Sequence, residues 1–520
     1  MVHFDPVELE LFKNIFVSIS DEMGAVLGRT ALSPNIKERK DFSCALFNRK
    51  GETFSQGAHI PVHLGAMPLS VQAALEVIPF GEGDLVILND PYRGGTHLPD
   101  VTCISPLFVD ERLSFFVANR AHHSDIGGMT PGSMPLATEI FQEGLIIPPL
   151  KIIERGKLNQ EVFDLILANV RTPEERKGDL LAQVAANEKG KLRLLEVVKK
   201  YGLKKLLHYT ALVQRYTEKI LREAIREIPP GTYRFVDYLD DDGISKKEVK
   251  IEVSLTIQED EALVDFSASA PQVEGGVNAN FAVTSSAVLY VFRSLIDEDI
   301  PFNTGLMKPL KIIAPPGSVV NAVYPAATAG GNVETSQRIV DVLLGALSQA
   351  IPERIPAASS GTMNNIAFGG YDPIRRQNFA YYETIGGGMG ASPAADGLSG
   401  VHTHMTNSLN TPLEALENYL PLRIRRYCLR RRSGGRGRYH GGEGIIREYE
   451  FLVPTQVSVI SERRRFAPYG LGGGRSGSRG KNTLFSGGKW RRLNSKVNLK
   501  VKPGDVLRVE TPGGGGYGSP

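Results

Sequence analysis

Two short motifs carry side chains that bind divalent metals: HLPD, residues 97–100, and HHSD, residues 122–125. Together they supply three imidazoles and two carboxylates, from His97, Asp100, His122, His123 and Asp125. Nitrogen and oxygen donors together suit Zn, Mn or Fe, and the residue types do not choose among these metals. Single polar residues near strand ends are more often solvated or capping groups. The prediction of a metal site therefore depends on the two motifs meeting in space.

One β-hairpin would bring the motifs together. Residues 101–108 and 113–118 are rich in β-branched and aromatic side chains, and the short link of four residues between them, three of them charged, has the length of a hairpin connection. In simple register, Asp100 lies opposite Ala121 or His122, where opposed Cα atoms are about 4.5–5.5 Å apart. The sequence thus predicts that both motifs lie at the open end of this hairpin.

Alternation along an extended chain separates the ligand candidates into two faces. His123 and Asp125 are two residues apart and would share one face, whereas His122 would point to the other face as a supporting partner. Asp100 is the candidate ligand from the opposite strand. We therefore predict a divalent-metal site with Asp100, His123 and Asp125 as ligands, and with His97 and His122 as further candidates.

Another pair of imidazoles precedes these motifs. His59 and His63 are four residues apart, which would place them on one face of a helix, but Pro61 between them favours a loop. They are either ligands or substrate contacts, or they are polar residues of that loop.

The composition bounds the class of protein. The chain has 520 residues, 42% of them hydrophobic and 22% charged, which is sufficient for two to four globular domains. A formal net charge of +3 predicts no general attraction to nucleic acid or to anionic membranes. Three distant cysteines, Cys44, Cys103 and Cys428, indicate a reducing compartment. The acidic N-terminal segment and the lack of an apolar run of about 18–20 residues favour a cytoplasmic protein.

The elements that position these residues predict an α+β fold with a glycine-rich, multi-sheet enzyme core. Asp5-Pro6 begins a helix, and two long helices separated by Gly202 form an αα-hairpin between about residues 172 and 228. Period-two patterns follow, and the C-terminal region is rich in strands. The predicted domains are a metal-site region 1–170, a helical hairpin 171–230, a central α/β region 231–440 and a strand-rich region 441–520.

A glycine-rich turn before a predicted helix is a candidate binding site. Residues 328–332, TAGGN, either present backbone N–H groups to an anion or form a tight strand-to-helix turn. The substrate- or phosphate-binding candidates here are Gly330, Gly331, Asn332, Glu334 and Arg338.

A second polar segment surrounds the glycine run 386–390. That run has no βαβ context, so it does not predict a dinucleotide site. Glu383 precedes it and is a candidate acid or base. His402 and His404 share one face of an extended segment and are the other catalytic candidates, either as a second metal face or through substrate contacts.

Arginines cluster in residues 423–438 and again after residue 461. Such runs occur in nucleic-acid-binding proteins. The nearly neutral chain and the apolar residues within the first run favour pairing with carboxylates or with a partner subunit instead.

Several long motifs resemble the hydantoinase B family, which includes the B subunits of hydantoinase and 5-oxoprolinase enzymes and the matching subunit of acetone and acetophenone carboxylases. They are NDPYRGGTHLPDVT, ANRAHHSDIGGMTPGSMP, EGGVNANFAVTSSAV, AATAGGNVETSQRIVDVLLGAL, HTHMTNSLNTPLEALE and TPGGGGYG. The resemblance covers essentially the whole chain and does not specify the substrate.

The resemblance implies a B-type subunit that works with a separate hydantoinase A chain in a hetero-oligomer. In the family, the A chain has an actin- or sugar-kinase-like fold and carries the ATP site, and the B-type chain supplies a metal site. The absence of a Walker P-loop agrees, because GGGRSGSRGKN has the wrong glycine spacing and ends in Asn482. The positions that match the expected metal motif are Asp100, His123 and Asp125.

The resemblance leaves three functions open. The first is ATP-dependent hydrolysis of a cyclic amide such as hydantoin, N-methylhydantoin or 5-oxoproline. The second is ATP-dependent carboxylation of a ketone. The third is a non-catalytic scaffold for the A chain.

Overall fold

A seven-stranded antiparallel sheet forms the N-terminal half of the protein, of which the computed structural model describes residues 5–519. Its strand order is β2-β1-β5-β4-β3-β6-β7. The strands are β1 Phe42–Asn48, β2 Thr53–Gln56, β3 Leu85–Leu88, β4 Asp100–Val109, β5 Arg112–His122, β6 Leu150–Glu154 and β7 Lys157–Leu158. The hairpin predicted from the sequence is the β4–β5 pair at the centre of this sheet.

Helices cover both faces of the seven-stranded sheet. They are α1 Pro6–Thr30, α2 Pro34–Lys37, α3 Ala66–Val77, α4 Gln160–Ala168, α5 Pro173–Tyr201 and α6 Leu203–Arg226. Helix α1 begins as predicted, because the Asp5 side chain accepts a hydrogen bond from the Val7 N–H and Pro6 occupies the first turn. Its apolar stripe packs with α5 and α6 against one face of the sheet, and α3 packs against the other.

The next layer is a four-stranded sheet packed against two helices. Its strands are β8 Gly231–Leu239, β9 Val249–Gln258, β10 Glu261–Asp265 and β11 Leu310–Ile313, in the order β11-β10-β9-β8. The helices are α7 Phe281–Arg293 and α8 Ser336–Ala350. Burial alternates residue by residue along β9, which agrees with the period-two pattern of its sequence. A π-helical turn, Gly331–Thr335, leads into α8.

Two further sheets pack face to face in the C-terminal half. Their orders are β13-β12-β16-β19 and β14-β15-β20-β17-β18. The strands are β12 Asn365–Asp372, β13 Gln377–Glu383, β14 Leu422–Arg430, β15 Gly444–Phe451, β16 Thr455–Ile460, β17 Lys481–Ser486, β18 Lys489–Leu493, β19 Lys496–Val501 and β20 Val506–Glu510, and α9 is Leu413–Tyr419. Phe368, Tyr449 and Leu507 fill the space between the sheets.

The predicted α+β, multi-sheet fold with a long helical pair is confirmed. The domain boundaries stay predictions, and the pairing of β14 with β15 crosses the boundary placed at residue 440. Among the described residues 5–519, no helix is long and apolar enough to cross a membrane.

The glycine runs of the C-terminal half let backbones approach one another closely. A Cβ on Gly388 would lie 1.9 Å from the carbonyl oxygen of Gly442, and one on Gly513 would lie 2.0 Å from that of Ser433. Any side chain at these positions would overlap the neighbouring backbone. The lack of a side chain at these two positions therefore allows the neighbouring backbone segments to pack against each other.

Candidate metal centre

The β4–β5 hairpin places the two polar motifs at one end of the central sheet. Asp100 opens β4, His122 closes β5, and the two residues are directly paired. This is one of the two registers that the sequence predicts. Two hydrogen bonds from outside the hairpin hold its open end in place. The His122 N–H donates to the carbonyl of Asp41, and the Asn35 amide donates to the carbonyl of His122.

The loop that carries His97 is held by polar contacts at both ends. Asp90 accepts a hydrogen bond from the Tyr92 N–H, and Gly94 adopts a left-handed φ of +80°. The Asn280 amide at the start of α7 donates to the carbonyl of Thr96 at 2.8 Å. The Asp100 N–H donates to the carbonyl of His97, so both members of the HLPD motif are set by one tight turn.

His97, Asp100 and His122 form a buried cluster with the composition of a metal site. One ligand atom from each lies within 4.8 Å of the others. Asp100 Oδ2 is 2.9 Å from His97 Nδ1, and Asp100 Oδ1 is 3.3 Å from His122 Nδ1. All three side chains are at most 3% exposed.

The unpaired atoms of this cluster make it a candidate cation site. Within the described part of the chain, His97 Nδ1, Asp100 Oδ1 and His122 Nε2 have no hydrogen-bond partner. The 2.9 Å approach of His97 Nδ1 to Asp100 Oδ2 lacks the angles of a hydrogen bond. Buried polar atoms are normally paired, so several orphans in one small space indicate a ligand that joins them. Two imidazoles and a carboxylate are donors of the type that Zn, Mn and Fe accept.

His63 and Thr96 orient the central carboxylate. His63 Nε2 lies 3.2 Å from Asp100 Oδ2, and its Nδ1 lies 2.9 Å from the Ser43 hydroxyl. The Thr96 hydroxyl also donates to Asp100 Oδ2. His63 is therefore part of the site, whereas the sequence left it open between a ligand and a loop residue. It lies 37 residues before Asp100, and no local spacing connects the two.

The electrostatics of the cluster favour an ionised Asp100 and a neutral His122. Burial opposes ionisation of Asp100, but the charges of His97 and His63 outweigh it and hold the pKa of Asp100 well below its usual value. Burial lowers the pKa of His122. A carboxylate and a neutral imidazole both present lone pairs, which is the state that a metal requires.

His123 and Asp125 lie elsewhere, which differs from the expectation that they are ligands. His123 Nε2 lies 2.9 Å from Gln183 Oε1 on α5, and burial lowers the pKa of His123 to about 4. Asp125 accepts hydrogen bonds from Arg171 and from the N–H groups of the following loop. The strand ends at His122, so the alternation of faces does not extend to these two residues.

The cluster lines a small cavity of about 20 Å³, which is room for about one water. Tyr382 forms one wall. Its ring stacks on His122 with 4.4 Å between centroids, and its hydroxyl donates to Asn365 Oδ1 at 2.7 Å. Apart from Asp41, His63 and Asn332, the remaining lining is apolar or weakly polar and consists of Ile60, Val62, Val333, Met363, Thr384, Met405 and Thr406.

Only one of the residues predicted at the glycine-rich turn lines this cavity. Asn332 Nδ2 is 3.5 Å from His97 Nε2, and Asn332 Oδ1 is a further buried atom without a partner among the described residues. The Gly331 N–H is already bonded to the carbonyl of Gly276, and a Cβ on Gly330 would lie 2.8 Å from that same oxygen. The turn is thus packed against the protein rather than open to an anion.

The other two members of this group belong to a buried polar network behind the cavity. Glu334 accepts a hydrogen bond from Asn365 at 2.7 Å, and burial raises the pKa of Glu334 to about 8. Arg338 forms an ion pair with Asp237 at 2.8 Å. These contacts fix the start of α8 and do not face the metal cluster.

The three residues predicted to act in catalysis do not line the cavity. Glu383 is fully buried and pairs with Arg447 at 3.1 Å and with the Tyr449 hydroxyl. Burial lowers the pKa of His402 to about 4, and His404 Nδ1 is 3.4 Å from the Tyr290 hydroxyl. The segment of His402 and His404 reaches the cavity through its next residues, Met405 and Thr406.

The first arginine run lies on β14, an edge strand. Arg425 forms two hydrogen bonds with the Glu450 carboxylate on the neighbouring strand, at 3.0 and 2.9 Å. Arg430 lies 3.7 Å from Glu510. Pairing with carboxylates, one of the two interpretations of this run, accounts for both residues.

Comparison of the sequence with known proteins gives matches along its full length. An uncharacterized protein of Methanocaldococcus jannaschii is 42% identical, and the match covers 99% of this chain and 91% of that protein. A 5-oxoprolinase, 5-oxoprolinase 1 of Arabidopsis thaliana, is also 42% identical over 99% of this chain. This chain spans only 42% of the length of the plant protein.

Two solved structures share the fold. An ATP-dependent caprolactamase from Pseudomonas jessenii superimposes with a TM-score of 0.92 at 28% identity, covering 99% of this chain and 91% of that one. Nucleotide-free acetone carboxylase superimposes with a TM-score of 0.91 at 19% identity, covering 99% and 76%, and this likeness shows the fold alone. The family model described as Hydantoinase B/oxoprolinase matches residues 5–520. The resemblance predicted from the motifs is confirmed, and the chain belongs to the hydantoinase B/oxoprolinase family.

Proposed function

We propose that this chain is the metal-carrying, B-type part of an ATP-dependent enzyme that opens cyclic amides of the hydantoin, N-methylhydantoin or 5-oxoproline type. The observation that carries the proposal is the buried His97–Asp100–His122 cluster with its unpaired donor atoms. Relatives named 5-oxoprolinase and ATP-dependent caprolactamase act on cyclic amides according to their names, which supports this substrate class. The proposed location is the cytoplasm.

ATP is proposed to be used on a separate hydantoinase A-type subunit, which makes the active enzyme a hetero-oligomer. The chain has no Walker P-loop sequence. It also spans 42% of the plant 5-oxoprolinase, so more than half of that protein lies outside the match. A fused relative thus has room for a second, ATP-using part.

The residues of the cluster have distinct proposed roles. His97, Asp100 and His122 would hold a divalent metal, which supplies Lewis acidity at a carbonyl or phosphoryl oxygen and activates a water. Asp100 supplies the negative charge, and His63 holds its carboxylate in place. Met405 and the other apolar lining residues exclude bulk water, which strengthens electrostatic interactions inside the cavity.

The chemistry explains why ATP is needed. A ring amide resists hydrolysis because attack on its carbonyl costs the amide resonance. Phosphorylation of the amide oxygen removes that resonance and creates a good leaving group. The proposed division of labour is therefore activation by phosphate on the partner and addition of water beside the metal cluster.

The test uses this chain co-purified with its A-type partner. ATP hydrolysis and ring opening are measured with hydantoin, N-methylhydantoin and 5-oxoproline, together with metal content by elemental analysis. We expect one of these compounds to stimulate ATP turnover, and Asp100→Asn to abolish ring opening. ATP turnover that is independent of every such cyclic amide would contradict the proposal.

The same preparation separates the two alternatives. Strict dependence of ATP turnover on bicarbonate and a ketone would identify a carboxylase, the activity named for the acetone carboxylase that shares this fold. A folded complex that contains no stoichiometric metal in the wild type would identify a scaffold for the A chain.

A further inference from the structure

A second cavity, of about 380 Å³, lies on the surface away from the metal cluster. It is bounded by the segment 240–246 after β8, by residues 464–465, and by residues 492–496 at the junction of β18 and β19. The lining residues of this cavity and of the metal cavity do not overlap. Its volume is within the range of about 300–1,000 Å³ that is usual for small-molecule sites.

Cations dominate the lining of this surface cavity. Basic residues outnumber acidic ones by five to two, and the basic residues are Lys246, Arg464, Arg465, Arg492 and Lys496. The chain as a whole is nearly neutral, at +3 over 520 residues. A local excess of this size focuses a positive potential into a concave space.

The two acidic residues of the lining are already used by the protein. Asp240 accepts hydrogen bonds from the backbone N–H groups of Arg464, Arg465 and Phe466, at 2.7 to 3.2 Å. Asp241 accepts from the Ser495 hydroxyl at 2.7 Å and lies 3.5 Å from Lys496 Nζ. Their oxygens are therefore engaged with the walls of the cavity, and neither acid forms an ion pair with Lys246 or Arg492 within the described residues 5–519.

Two buried cations, Lys496 and Arg464, form the floor of the cavity, and one of their nitrogen atoms has no hydrogen-bond partner among the described residues. Lys496 and Arg464 are 4% and 7% exposed. The Arg464 guanidinium donates to Asn364 at 2.7 Å and to Asn482 at 2.8 Å, while its Nε has no partner among the described residues. Lys496 is held by Glu462. Cations fixed by packing in this way lose little conformational entropy when they bind a ligand.

The rim supplies cations that are free to bind. Lys246 and Arg492 are exposed, and neither forms an ion pair within 4.0 Å with any residue in the range 5–519. Arg465 forms an ion pair with Glu248 at 2.5 Å. Arginine and lysine at the mouth of a fixed basic floor match the geometry of an anion that carries several oxygens.

We propose that this cavity binds a small anion that bears phosphate or carboxylate groups. The proposal goes beyond the proposed function, because the cavity shares no residue with the metal cluster and needs no cyclic amide. Lys246 and Arg492 supply the positive charge that attracts the ligand, and the Arg464 Nε, which lacks a partner within the described range, is a further donor in the lining.

The experiment titrates inorganic phosphate into the purified chain by isothermal calorimetry, at constant ionic strength maintained with sodium chloride. We expect saturable binding with one site per chain. Arg492→Gln and Lys246→Gln should each weaken the affinity for phosphate at least tenfold. Arg491→Gln is the matched control, because Arg491 is the exposed neighbour of Arg492 and does not line the cavity. Its affinity should equal that of the wild type.

Two outcomes would overturn the proposal. One is that the chain does not bind phosphate, or that all three variants weaken phosphate binding equally. Equal weakening would indicate only a general charge effect. The other is binding that disappears in Asp100→Asn while Arg492→Gln retains it, which places the phosphate at the metal cluster. Because the proposed function is tested with cyclic amides and ATP, either outcome here leaves that test unaffected.

Discussion

Adjacent histidines at the end of β5 allow a matched test of the metal site. His122 and His123 are both buried, yet only His122 faces Asp100, whereas His123 faces Gln183. His122→Ala removes one of three proposed ligands. Loss of a residue that only supports a ligand typically lowers metal affinity 10–100-fold. We therefore expect the loss of a ligand to cost at least about 100-fold, or about 2.7 kcal/mol of binding free energy.

His123→Ala should have a different effect. It leaves Gln183 Oε1 without its partner in a buried position, which costs about 1–3 kcal/mol in the free energy of unfolding. Metal affinity should stay within about threefold of the wild type, because no atom of the cluster depends on His123. His123→Gln, which keeps a polar side chain, serves if the alanine variant is too unstable to purify.

Metal affinity is measured by competition with a chromogenic chelator, and stability by urea unfolding of the metal-free protein. The reasoning is refuted if folded His123→Ala loses the metal while His122→Ala retains it. That result would restore the ligand set of Asp100, His123 and Asp125 that alternation along the sequence favours.

Three further predictions concern buried groups, one of which, Tyr382, lines the metal cavity. Glu143 is buried and accepts hydrogen bonds from the N–H groups of Thr328 and Ala329. Burial raises the pKa of Glu143 to about 8, so the wild type should lose a few kcal/mol of stability between pH 5 and 8.5 relative to Glu143→Gln, as measured by urea unfolding at both pH values. Glu383→Gln leaves Arg447 buried without its counter-charge, and it should lower the free energy of unfolding by about 3–5 kcal/mol without changing metal content. Tyr382→Phe keeps the stack on His122 but leaves Asn365 Oδ1 unpaired, so it should cost about 1–3 kcal/mol of stability while metal affinity is retained.

Local patterns in the sequence were sufficient to predict the hairpin and the end of it at which the candidate site lies. The β4–β5 pair depends on residues fewer than 30 positions apart. Counting across its short connection predicts Asp100 opposite Ala121 or His122, and the structure has His122. The helices around Gly202 follow from a single glycine that breaks a continuous helical pattern. In such cases the chain itself determines which residues become neighbours.

The choice between His122 and His123 needed information that alternation does not contain. Directly opposed residues in an antiparallel pair point to the same face, so His122 shares a face with Asp100. Beyond His122 the chain leaves the sheet, and His123 turns toward α5. Extending the two-residue alternation past the end of β5 therefore selected His123 and Asp125 as ligands in preference to His122.

The remaining parts of the site come from distant segments. His63 precedes Asp100 by 37 residues, and Asn332 follows His97 by 235. Tyr382 lies on β13, in a different sheet from His122. Contacts over these separations depend on how whole layers pack, and a single sequence contains no period that reports them.

The metal cavity, with room for about one water, has a kinetic consequence. A five-membered ring is larger than one water, so binding of the proposed cyclic amide at the cluster requires the cavity lining to move outward, and each turnover would then include at least one opening and one closing. If that opening is slower than bond cleavage, turnover follows solvent viscosity and varies little among substrates with different leaving groups. Inhibitors as large as the substrate ring would then associate slowly and dissociate slowly.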